Sequence, residues 1–141
     1  MDSLEMPSAR AVTAAFIMLI QASSAAAGQS LRDLRAQESE NKALAREAAY
    51  TSEVCGRPIP ASIDWSRSKD WPAHESLTEA CDGALGAVET ICRAGKKTAV
   101  RSFVCSGDSA GPSLSGGVLR YGAAPGVNGY AATLATIGAA E

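Results

Sequence analysis

Histidine occurs once in this chain, at His74, and no two of the four cysteines stand closer than eleven positions. A zinc site needs four nitrogen or sulfur ligands at short spacings, and thiol–disulfide chemistry needs a C-x-x-C or an exposed low-pKa thiol. Neither pattern is present, so no metal, no cofactor and no redox role is expected. A phosphate-binding loop and a dinucleotide fingerprint are also missing. Neither sign of charge is in excess, with 13 Lys+Arg against 15 Asp+Glu and a net charge of −2. That balance gives nothing to steer the chain to nucleic acid or to an anionic membrane. Large apolar side chains are few, and aromatics make up 5%. A core built from so few is modest, and small domains with modest cores profit from covalent staples.

What is present begins at the N-terminus. Arg10 precedes the apolar run Ala11 to Ile20, and the small residues Ala22 to Ala27 follow. A basic flank, a short apolar stretch and an A-x-A exit define a signal peptide. The run is about ten residues, too short for the ~20 that a helix needs to cross a bilayer. We expect a signal peptide over 1–27, cleaved after Ala27, with Met1 or Met6 as the start. An uncleaved apolar anchor is the alternative. No cysteine stands directly after the run, which argues against a lipid anchor. Residues 28–141 carry 12 basic and 13 acidic side chains, a length and balance that fit one exported domain with no stable membrane span.

Residues 29–52 are rich in Ala, Glu, Arg and Gln and contain no Gly or Pro. Propensity predicts a helix, with Ser30 as N-cap and Asp33 in the first turn. Its apolar residues are thin, so it reads as a solvated or loosely docked helical arm over 28–53. The stapled domain would then occupy 54–141. Ala61 to Trp65 is a short strand candidate. From about Ala73 to Ala94, Leu77, Cys81, Ala84, Leu85, Val88, Ile91 and Cys92 recur at steps of three and four, which predicts one buried helical face. Gly83 and Gly86 lie near that face and suggest close approach of another backbone. Gly95 is a C-cap. Thr98 to Ser106 reads as a strand, with Phe103 and Cys105 on one face. Leu114 to Tyr121 reads as a second strand with a bulge at Gly116–Gly117. Residues 129–139 fit a helix capped by Asn128, or a third strand. The expected fold is α+β: a central amphipathic helix packed on a short antiparallel sheet, preceded by a solvated helix.

Cys55, Cys81, Cys92 and Cys105 allow three pairings. Cys81 and Cys92 share one helix and stand about 16 Å apart at 1.5 Å per residue, beyond the roughly 7 Å that a bridge spans between Cα atoms. If the chain turns back at Gly95, Cys105 lies about 23 Å along its strand, level with the region of Glu79 on the helix. Cys81 is then its neighbour. The predicted bridges are Cys81–Cys105 and Cys55–Cys92.

Cys105 to Pro112 reads C-S-G-D-S-A-G-P. This string resembles the nucleophile loop of trypsin-like serine proteases, and Ala73-His74 resembles the dipeptide carrying that family's base. The resemblance implies Ser109 as nucleophile and His74 as base. Against it stand the length of the chain, too short for a double β-barrel, the helix in its middle, and the 34 residues between His74 and Ser109. The motif's second glycine is Ala110. The expected reading is a Gly/Ser/Pro turn between strands, and no catalytic residue is assigned. Asp64 and Asp70 are loop carboxylates without a pattern, and Arg120 and Tyr121 end a strand.

From Cys55 to Ile137 the chain resembles small exported proteins of the Gram-negative type. That resemblance implies a periplasmic home and carries no activity with it. The expected function is non-enzymatic: binding an unidentified protein or envelope component through the arm at 29–52 or the loops at 107–113 and 122–129. A periplasmic enzyme inhibitor is one form of this. A small serine hydrolase using Ser109 is the rival.

Overall fold

The computed structural model describes residues 30–140, so the expected signal peptide over 1–27 lies outside the described residues. Helix α1 spans Leu31–Cys55, strand β1 Ala61–Ile63, helix α2 Leu77–Arg93, β2 Ser102–Ser106, β3 Gly111–Ser115, β4 Val118–Gly122, and helix α3 Tyr130–Ala140. A single 3₁₀ turn at Trp65–Arg67 follows β1.

The fold class is α+β, and the sheet has four strands in the order β1-β2-β4-β3. The sheet is mixed, where an antiparallel one was expected. β1 and β4 both run parallel to β2, and only β3–β4 is antiparallel. The parallel β1–β2 pair follows from α2 lying between them in sequence, because a helical crossover returns the chain to the same end of the sheet. Ala61, Phe103, Leu119 and Leu114 share one row across the sheet, and Ile63, Cys105, Tyr121 and Pro112 the next. Those rows face the helices, and Phe103, Cys105, Leu119 and Tyr121 are buried. The opposite row, Ser62, Val104, Arg120 and Ser113, is exposed or half-buried. One covered face and one wet face is the alternation that period-two strands produce.

The expected 114–121 strand is two strands. Gly116 and Gly117 have φ of 58° and 80°. Two successive positive values are the backbone of a two-residue hairpin turn, which L side chains resist. The Gly-Gly pair is therefore a reversal and not a bulge. In this hairpin Ser115–Val118 closes the turn, so Pro112 and Leu114 present their backbone groups to the open edge. Pro112 has no N–H to lose there, and it blunts the edge.

β4 fills the slot between β2 and β3, so residues 107–110 must span about 10 Å, two inter-strand spacings, over the end of β4. Ser109 N–H donates to the Ala123 carbonyl at 3.0 Å, and Ala123 N–H donates to Ser106 at 2.7 Å. Gly122 lies directly beneath this crossing. A Cβ on it would fall 2.7 Å from Ala110 N and 2.0 Å from the Asp108 carboxylate. Only glycine lets the crossing sit this low.

α2 begins at Leu77, four residues after the expected Ala73, because Ser76 is its N-cap and accepts Glu79 N–H at 3.2 Å. Its buried face carries Leu77, Cys81, Ala84, Leu85, Val88 and Ile91, as periodicity predicts, while Cys92, also expected on that face, is half-buried. β2 begins at Ser102 rather than Thr98. Residues 98–101 are held instead by Arg57, whose guanidinium donates to the carbonyls of Thr98 and Val100. Of the two alternatives for 129–139, the structure has the helix, α3, over Tyr130–Ala140. Asn128 accepts Tyr130 N–H at 2.9 Å, and α3 lies so close to α2 that a Cβ on Gly83 would meet Tyr130 N at 3.1 Å.

Both predicted bridges are present. Cys55–Cys92 has a Cα separation of 5.0 Å and Cys81–Cys105 one of 6.1 Å. In α1, Ser30 Oγ accepts Asp33 N–H at 3.1 Å, as an N-cap does. The first turns of this helix are exposed, but Leu44, Ala48 and Thr51 are buried. Thr51 donates to Glu89 on α2 at 2.9 Å. The second half of α1 is thus docked on the body through Leu44, Ala48, Thr51 and the Cys55–Cys92 bridge.

Candidate functional site

Three parallel strands deliver the loops after them to one end of the sheet. The chain leaves β1 into the 3₁₀ turn and the segment 68–76, leaves β2 into the crossing at 107–110, and leaves β4 into residues 123–129. The ends of parallel strands are where open sheets with helical crossovers place ligand clefts. An open cleft of about 540 Å³ lies here, with Trp71, His74, Glu75, Glu79, Asp82, Val127 and Asn128 in its walls.

Each wall is positioned by local chemistry. Trp71 is held by its indole N–H, which donates to the Glu75 carbonyl at 2.9 Å. Its ring packs on the β2 crossing, where a Cβ on Gly107 would stand 3.0 Å away. Gly107 N–H is taken by the Ser68 hydroxyl at 3.0 Å. The first turn of α2 forms the second wall. Glu40 on α1 reaches its N-terminus and accepts Thr78 N–H at 3.0 Å and the Ser76 hydroxyl at 3.3 Å. Glu75 and Glu79 flank the same helix end, where negative side chains meet the positive end of the helix dipole. The third wall is the loop 126–128. Val127 is 55% exposed, which leaves an apolar side chain facing out of the cleft's rim.

His74 lines this cleft and is exposed. Ser109 sits on the crossing turn outside the lining, also exposed, with φ of 60°, the one positive value outside glycine among the described residues. The two side chains share no hydrogen bond. The turn explains the dihedral: a four-residue crossing over β4 needs a reversal at Ser109, and Asp108 Oδ1 stabilises it by accepting Ala110 N–H at 3.2 Å and the Ser106 hydroxyl at 3.1 Å. Asp108 is thereby committed to the turn.

The other candidate residues are dispersed. Arg120 lies on the wet face of the sheet, while Tyr121 is buried on the helical face with its hydroxyl against Gly129. Burial raises the Tyr121 pKa. Asp64 follows β1, and the Ser66 hydroxyl at 2.5 Å, with Arg67 beside it, lowers its pKa. All four cysteines are bridged, so the chain offers no free thiol. No group of His, Cys, Asp and Glu able to hold a metal occurs among the described residues. No described helix is long and apolar enough to cross a membrane.

No family model matches the chain, and neither a curated protein nor a solved structure does.

Of the positions singled out in the sequence, His74 and part of the loop 122–129 line the cleft, whereas Trp71, Glu75, Glu79 and Asp82 were not singled out as their companions. Nothing in the spacing of these residues signals a cleft. Only the parallel order of β1, β2 and β4 brings the loop after β1 to the loop after β4.

Proposed function

We infer that this chain is an exported, non-enzymatic binding protein of an oxidising compartment, and that it engages its partner through the cleft at the carboxyl ends of β1, β2 and β4. The observation that carries this reading is the convergence of the loops after β1 and β4 on one open cleft whose central wall, α2, is clamped by both disulfides. A rigid wall lowers the ordering cost of binding. The full pairing of the cysteines supports an oxidising location, and the resemblance to small exported proteins supports the periplasm. The partner is an unidentified protein or envelope component.

Export is tested by the intact mass of the secreted material, which should begin at Gly28. A full-length mass there refutes cleavage. Binding is tested by co-purification from the native envelope with wild-type protein and with Val127→Asp, a change at an exposed position that leaves the core untouched. A partner retained equally by both places the contact elsewhere. The serine-hydrolase reading draws support from the exposed Ser109 on its reversal. Labelling by a serine-directed covalent probe that disappears in Ser109→Ala would overturn the non-enzymatic assignment.

A further inference from the structure

Asn128 and Gly129 are consecutive, between β4 and α3, and Asn128 lines the cleft. An asparagine before a glycine is open to an internal reaction. The glycine nitrogen can attack the side-chain amide carbon, because glycine has no Cβ to shield it or to restrict its approach. The chain holds two asparagines, Asn41 and Asn128, and one Asp-Gly pair, Asp82–Gly83, able to close the same ring.

The fold treats these positions differently. Gly83 lies inside α2, where its N–H belongs to the helix ladder. Asn41 lies inside α1, and its Oδ1 accepts the Trp65 indole N–H at 3.1 Å. Asn128 is exposed and lies in no helix or strand. Among the described residues, neither its Nδ2 nor the Gly129 N–H donates a hydrogen bond. Its Oδ1 accepts Tyr130 N–H at 2.9 Å. The bare Cα of Gly83 makes room for that oxygen, since a Cβ there would fall 2.6 Å from it. The attacking nitrogen and the leaving nitrogen are thus both uncommitted. The oxygen on which charge must build is held by a backbone donor at the positive end of α3.

We propose that Asn128 is a self-modifying residue, which in the folded protein becomes a carboxylate through a succinimide closed with Gly129. The Gly129 nitrogen gives up its proton to solvent base and bonds to Asn128 Cγ. The Cγ–Nδ2 bond breaks, and Nδ2 takes a proton and leaves as ammonia. Water then opens the ring at either carbonyl. Breaking the new N–Cγ bond leaves aspartate at 128. Breaking the bond to the main-chain carbonyl leaves an isoaspartyl link, with the chain running through Cβ. Water is the only co-reactant, and no redox change occurs. The aspartate keeps an acceptor for Tyr130 N–H. The isoaspartyl link adds a methylene directly before Gly129, whose Cα is pressed against the Tyr121 ring. Either product sets a new carboxylate in a cleft already lined by Glu75, Glu79 and Asp82. The reaction is a property of this loop and does not depend on what fills the cleft.

The test is incubation of the folded, disulfide-intact chain at neutral and at mildly alkaline pH, followed by anion exchange and peptide mapping by mass spectrometry. A species with added negative charge should appear, carrying the acid at 128 in aspartyl and isoaspartyl linkages. It should form faster at the higher pH, because the attacking nitrogen must lose its proton. Asn41 and the Asp82–Gly83 link should stay unchanged. Asn128→Ser keeps a capping oxygen for α3 and removes the amide, so the acidic species should be lost. The proposal fails if folded wild type keeps its amide at 128, or if conversion there begins only when urea unfolds the chain. It fails equally if Asn41 or Asp82–Gly83 reacts alongside Asn128, or if Asn128→Ser yields the same acidic species.

Discussion

Removing the two disulfides one at a time should cost unequal amounts, and in an order opposite to loop length. Cys55–Cys92 closes 37 residues and Cys81–Cys105 closes 24. In the chain-entropy account these closures stabilise by about 3.8 and about 3.5 kcal/mol. Loop length alone thus favours the first by a few tenths. Burial reverses the order. Cys81 and Cys105 are both 0% exposed in the core, whereas Cys55 and Cys92 are half-buried at its edge. Replacing the buried pair with alanine leaves the volume of two sulfurs empty in the core shared with Phe103 and Leu85, worth roughly a further 1–2 kcal/mol. Cys81→Ala/Cys105→Ala should therefore cost about 5 kcal/mol, and Cys55→Ala/Cys92→Ala about 4. Urea unfolding curves measure both, read as extrapolated free energies because losing a cross-link also expands the unfolded chain and steepens the curve. Under native conditions a thiol reductant should open Cys55–Cys92 first, since both residues are only half-buried at the edge of the core. A larger loss from the Cys55–Cys92 variant, or earlier reduction of Cys81–Cys105, would refute the reasoning from burial.

Gly129→Ala places a Cβ 2.3 Å from the Tyr121 hydroxyl, with the buried ring fixed behind it. It should lower stability by about 1–3 kcal/mol or shift α3, visible in thermal melting. Thr133→Val should instead stabilise by about 1 kcal/mol, because the Thr133 hydroxyl is buried in α3 without a hydrogen-bond partner and valine keeps the shape. A loss in the melting temperature would show that the hydroxyl has a partner. Glu40→Ala removes the acceptor for Thr78 N–H and should cost about 1 kcal/mol, the usual worth of a cap, with faster exchange confined to the first turn of α2.

Much of the fold was legible because it rests on local periodicities. The apolar stripe Leu77 to Ile91 has one solution, a helix buried on one side. Phe103 and Cys105 share a face because strand side chains alternate. With those two elements and the turn at Gly95, the difference between 1.5 Å and about 3.3 Å of rise per residue ranked the cysteine pairings. The mixed sheet was not legible. Nothing local in V-L-R-Y-G says that it pairs in parallel with a strand two elements back, and Gly116–Gly117 inside a β-rich run supports a bulge as well as a reversal until the register is known. Residues 98–101 have strand chemistry, yet Arg57, more than forty positions away, takes the carbonyls at 98 and 100.

The cysteines, the amphipathic helix and the Gly-rich turns are properties of short stretches, and the sequence by itself determined them, together with which residues the staples join. The tertiary structure alone decided which loops lie side by side. β4 had to slide between β2 and β3 before the crossing at Ser109 became a strained turn and the loops after β1 and β4 became two walls of one cleft. Trp71 and Val127, on opposite walls of that cleft, are 56 positions apart in the chain. They became neighbours in one fold only when the parallel order of β1, β2 and β4 was set, because pairing between strands depends on contacts that no short stretch of sequence encodes.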